Sequence, residues 1–131
     1  AQTVIKTIPG YLPLASSRAM NALFKDNAAR LIPPEQIINA GHFGASTDMG
    51  DISHLLPSLH PFVGGVFGAL HTRDFKVADY QAACVLPAKL MAMTVIDLLA
   101  DGAKQAKDIQ QQFKPLLTKE QYLKMLEEYF S

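Results

Sequence analysis

His60-Pro61-Phe62-Val63-Gly64-Gly65-Val66-Phe67-Gly68 is the stretch on which the fold class of this 131-residue chain turns. Phe62, Val63, Val66 and Phe67 supply apolar content, and Gly64, Gly65 and Gly68 permit a second backbone to approach closely. The stretch reads as a buried strand. Upstream, Thr3-Val4-Ile5-Lys6-Thr7-Ile8 alternates like a strand and ends at Pro9-Gly10. Tyr11-Leu12-Pro13-Leu14 continues it as an edge strand running into a linker, since two prolines limit sheet pairing. Ile37-Ile38-Asn39-Ala40 reads as a further short strand, and residues 41–51, rich in glycine and small polar side chains, as a loop.

Helices surround these strands. Ser16 or Ser17 caps a helix that runs to about Leu31, with Met20, Leu23, Phe24, Ala28 and Leu31 on one face, and Pro33-Pro34 stops it. From about Tyr80 to Ala100 the helical pattern is apolar nearly all round, which places that helix at the centre of the molecule. Asp101-Gly102 is its stop signal. A polar helix follows to about Phe113, and Thr118 with Gln121 forms a capping box that opens a last helix. Strands and a loop followed by packed helices give a mixed α/β class.

Composition narrows the function. Lysine plus arginine equals aspartate plus glutamate at twelve each, with no basic stretch interleaved with aromatics, so nucleic acid is not an expected partner. Residues 86–100 are interrupted by Pro87, Lys89, Thr94 and Asp97, and read as too short and too polar to span a bilayer. The opening residues carry no leader pattern, and the expected location is cytoplasmic. Cys84, the single cysteine, rules out an internal disulfide and reads as a buried inert thiol among Ala82, Ala83, Val85 and Leu86. Hydrophobic residues reach 49% against 18% charged, a lean surface that points to contact with another part of a larger molecule or with further copies of the chain.

The chemistry-bearing side chains cluster. His42, His54, His60, Asp48 and Asp51 fall within nineteen residues, and His71 follows one strand later. Imidazole and carboxylate are ligand types for zinc, manganese and iron, yet no His-Glu-x-x-His and no paired cysteines are present. Ser46, Ser53 and Ser58 lie near histidines and aspartates, but no Gly-x-Ser-x-Gly elbow supports a serine nucleophile. Gly64-Gly65-Val66-Phe67-Gly68 lacks the Lys-Ser/Thr that completes a phosphate loop. Asp48 and Asp51 precede a turn whose backbone amides either would cap.

Ser46-Thr47-Asp48-Met49-Gly50-Asp51-Ile52-Ser53-His54-Leu55-Leu56-Pro57, then His60-Pro61, then Gly68-Ala69-Leu70-His71, resembles in its order the dinuclear metallopeptidase and amidohydrolase family that includes aminobenzoyl-glutamate hydrolase, N-acyl amino-acid amidohydrolases and carboxypeptidase G. Tyr11-Leu12-Pro13-Leu14 and Pro87-Ala88-Lys89-Leu90-Met91-Ala92-Met93-Thr94 extend the likeness, which lies nearest the aminobenzoyl-glutamate hydrolase side. The resemblance implies the C-terminal part of a zinc-peptidase-like α/β catalytic domain, with residues 1–14 the end of a lid or dimerisation domain and linker, and 15–131 the catalytic segment. It implies that His71 is a metal ligand, and that Asp51 and Ser53 line the substrate pocket. Asp48 competes with Asp51 for that role, and His54 stands where many relatives carry an aromatic.

The resemblance further implies two divalent metal ions, zinc or manganese, and a small amide substrate of the N-acyl amino acid or aminobenzoyl-glutamate kind. The expected partners are the remainder of the catalytic and lid domains, in a homo-oligomer. The family's upstream His-x-Asp, bridging aspartate and adjacent Glu-Glu pair are missing from this chain; Glu127-Glu128 lies in the terminal helix, in the wrong order. The chain alone is therefore expected to be inactive. A non-catalytic interaction or dimerisation module is the rival expectation.

Overall fold

The computed structural model describes residues 2–6, 10–39, 41 and 46–130, and of Phe130 the backbone only. Helix α1, Arg18–Ala29, begins where Ser17, in an extended conformation, accepts a bond from the amide of Met20. That bond satisfies one of the first-turn donors a helix leaves open. Leu23, Asn27 and Ala28 form its buried side. After Pro33 a 3-10 turn, Pro34–Gln36, leads toward helix α2, Met49–Leu55. Strands β1, Val66–Phe67, and β2, Lys76–Val77, pair antiparallel with Val66 opposite Val77. A π-helical turn, Gln81–Val85, runs into helix α3, Leu86–Gln112, and helix α4, Lys119–Phe130, ends the chain.

The expected α/β domain is not what forms. Helix accounts for 55% of the chain and strand for 3%, which does not fit an α/β peptidase domain. The reason lies in the opening stretch. Residues 60–65 have no regular structure, and Gly65 and Gly68, both at φ +89°, bracket a strand of only two residues. Left-handed glycines turn the chain instead of extending it. The close approach that Gly65 permits is to the backbone of Asp79 and Ala83 at the entry to the π-helical turn, and its carbonyl accepts the amides of Ala78 and Asp79. Residues 2–6 and 37–39 are likewise irregular, with Val4 and Ile5 in open solvent. Thr7 to Pro9 and Ala40 lie outside the described residues.

The core is the seam between α1 and α3. α1 packs against α3, and the residues buried there are Leu23, Asn27 and Ala28 on α1 and Leu90, Thr94 and Ile109 on α3. Thr94 turns its hydroxyl back to the Leu90 carbonyl at 2.7 Å, so a buried hydroxyl keeps its partner. α3 is not enclosed as its sequence led us to expect: Met91, Val95, Ile96 and Leu99 are 52–65% exposed. The helix from Gln81 to Gln112 is long and apolar enough to cross a membrane by length and composition. It is nevertheless broken at 101–103, where Asp101, Gly102 and Ala103 are all left-handed, at the place where the sequence marks a stop.

The whole chain exposes 10304 Å². A compact monomer of its mass exposes about 6,800 Å².

Candidate functional site

The end of the expected 41–51 loop winds instead into α2, which begins at Met49. Asp48 occupies the N-cap position without capping: its backbone is already helical, and Thr47 accepts the Met49 amide in its place at 3.4 Å while donating its hydroxyl to Asp48 Oδ1. Asp48 itself is exposed. Neither aspartate caps this turn.

Asp51 does something the local sequence does not suggest. Its Oδ1 accepts the amide of Leu12 at 2.8 Å, and its Oδ2 accepts the hydroxyl of Tyr122 at 2.9 Å. Ser53, 1% exposed, accepts the amide of Ala15 at 2.9 Å and donates to the Gly50 carbonyl at 2.6 Å. His54 Nδ1 lies 2.9 Å from the same carbonyl; because a carbonyl only accepts, Nδ1 carries the proton. The His54 carbonyl in turn accepts the amides of Leu116 and Leu117. One seven-residue helix thereby ties residues 12–15 to the segment that leads into α4.

Gly50 makes this possible. It is buried with its Cα against the Leu12 carbonyl, and any Cβ there would overlap that oxygen. Beside Asp51 opens a cleft of about 540 Å³, walled by residues 10–13 on one side and by Met125, Leu126 and Tyr129 of α4 on the other. Partial burial, then the Asp51 bond and charge, push the Tyr122 phenol above the ordinary tyrosine value. Removing a phenol from water and placing it beside a carboxylate both disfavour phenolate.

His71 sits apart from this staple, in the exposed turn between β1 and β2, at φ +62°. Thr72 fixes that turn by bonding the Ala69 carbonyl through both its amide, at 3.3 Å, and its hydroxyl, at 2.8 Å. A non-glycine residue with positive φ is uncommon, although histidine is among those that accept it. Among the described residues, no three His, Cys, Asp or Glu side chains converge as a metal would require. His60 stacks at a tilt on Phe62, 5.3 Å between centroids, and His42 lies outside the described residues.

Among the described residues, Ser53 and Ser58 both donate to backbone carbonyls and not to a histidine. Cys84 is exposed, against the expectation of a buried thiol. Tyr122 is the participant that sequence reasoning missed. The capping box at Thr118 and Gln121 announces its helix, but no local signal announces its partner.

Comparisons of the chain with protein-family models, with curated proteins and with solved structures find no match.

Proposed function

We propose that this chain is the C-terminal portion of a metal-dependent amidohydrolase acting on N-acyl amino acids or aminobenzoyl-glutamate-like amides, inactive by itself. The observation that carries the reading is the combination, along one chain, of the Ser-Thr-Asp-x-Gly-Asp-x-Ser run with a following exposed histidine on a fixed turn. In this reading the His71 imidazole would hold one of two divalent ions, zinc or manganese, and Asp51 on α2, with Ser53 behind it, would shape the substrate pocket. Among the described residues no three such side chains converge, so in this reading His71 would need its companion ligands from elsewhere. Bound metal would supply Lewis acidity toward the amide carbonyl and acidify a water.

The test is hydrolysis of N-acetyl-glutamate and 4-aminobenzoyl-glutamate with zinc or manganese. The expected result is no turnover by residues 1–131 alone, and turnover by a polypeptide that adds an upstream His-x-Asp and Glu-Glu pair. His71→Ala in that polypeptide lowers activity more than about 100-fold, the upper end for residues that merely support a ligand. Turnover by the isolated chain, or indifference to His71→Ala, overturns the reading.

The uncovered face of α3 favours a second reading, a non-catalytic module that binds a partner or a second copy. Light scattering separates the two. A module associates whether or not divalent metal is present, and His71→Ala leaves its association unchanged.

A further inference from the structure

We propose that Tyr122 is a positioning residue for Asp51 on α2, and that α4 is the wall it holds across the cleft beside Asp51. The inference rests on the reading of Asp51 as a pocket residue and adds a part of the molecule that reading does not use. The Asp51 carboxylate is held from two directions, by the Leu12 amide on Oδ1 and by the Tyr122 hydroxyl on Oδ2. Two donors on separate oxygens fix the rotation of the group as well as its place. Tyr122–Asp51 is also a side-chain hydrogen bond that joins α4 to α2, the backbone links from Leu116 and Leu117 to His54 lying before the helix begins.

What α4 brings to the cleft is Met125, Leu126 and Tyr129, facing Tyr11, Leu12 and Pro13. Among the described residues the other lining side chains are apolar or aromatic, and the one formal charge is the Asp51 carboxylate. An anion there repels the substrate's own carboxylate, so the part of an amide substrate this cleft accepts is its uncharged acyl or aryl group. Tyr122 sets the distance between the two walls and hence how well a flat ring is gripped.

Tyr122→Phe removes one oxygen and keeps the ring. In residues 1–131, amide hydrogen exchange at Leu12 and through 49–55 is expected to quicken about ten-fold, as loss of a bond to a charged group implies, while the amides around Leu90 and Thr94 stay unchanged. Tyrosine ring NMR titration supplies a signature that mere packing does not: the Tyr122 midpoint drops toward that of free tyrosine in Asp51→Asn. In the complete metal-loaded hydrolase, Tyr122→Phe raises KM for 4-aminobenzoyl-glutamate several-fold more than for N-acetyl-glutamate and leaves kcat within two-fold. Unchanged exchange at Leu12 overturns the positioning role. Faster exchange with equal KM changes for the two substrates, or with a fall confined to kcat, overturns the wall. A complete hydrolase that turns over neither substrate sinks the amidohydrolase reading, and the wall's substrate role with it, while exchange still decides whether Tyr122 holds Asp51.

Discussion

Asn27 donates its side-chain amide to Asp97 Oδ2 at 2.7 Å, joining α1 to α3 at the centre of the small core. Asn27 is 2% exposed, and Arg30 donates to its other side-chain atom at 3.4 Å. The acid that interrupts the apolar run of α3 therefore faces inward and completes the seam. Asp97→Ala leaves a buried donor without an acceptor, a loss of about 1–3 kcal/mol. Urea unfolding followed by circular dichroism should show a lower midpoint with an unchanged slope. Lys104→Ala, which breaks only the exposed pair with Asp108, should leave the midpoint where it is.

Gly50→Ala tests the staple at its tightest point. The added methyl falls on the Leu12 carbonyl, a backbone atom that cannot swing aside, so residues 12–15 or α2 must move. Overpacking of this kind costs about 1–3 kcal/mol. Gly64→Ala is the matched control, because a methyl there meets nothing within 4 Å. Similar unfolding midpoints for the two variants would show that Gly50 is not under steric constraint.

What could be read in the sequence was local. Ser17 caps α1, Thr118 and Gln121 exchange both capping-box bonds, and Asp101-Gly102 breaks α3, each a signal contained within four residues. What could not be read depended on distant partners. The Phe62 to Phe67 apolar run has strand composition, but a strand needs a neighbour, and among the described residues only Lys76–Val77 pairs with it, at Val66–Phe67. Asp51 looks like a pocket or capping acid because its sequence neighbours suggest both. Its actual donors, Leu12 and Tyr122, lie far off on either side, and no periodicity links them. The central placement expected of α3 failed for the same reason, since apolar residues on every face do not say what covers each face.

The break in α3 holds its own stored strain. Asp101 and Ala103 adopt φ +50° and +60°, a region that costs an L-residue roughly 1–2 kcal/mol. Ala103→Gly removes the Cβ responsible, partly offset by the greater freedom glycine has when unfolded. A net gain of about 0.5–1 kcal/mol is expected, read as a rise in the urea midpoint. A fall instead would mean that the left-handed turn is not occupied in solution.

Alkaline pH supplies the last test, and its sign follows from Tyr122. The phenol is raised above its ordinary value of 10.0 by partial burial first, then by the bond and charge of Asp51. Between the unfolded and folded values the unfolded chain has already lost a proton that the folded chain keeps, so stability falls as pH rises through that window. Below pH 10 the contribution is intact; above the folded value it is gone, and phenolate faces carboxylate across the former bond. Unfolding midpoints measured from pH 8 to 11 should decline more steeply at the upper end for the wild-type chain than for Tyr122→Phe, which has no proton to lose. Parallel curves for the two proteins would mean that the Tyr122 phenol titrates alike in the folded and unfolded chain, and that its bond to Asp51 does not stabilise the fold.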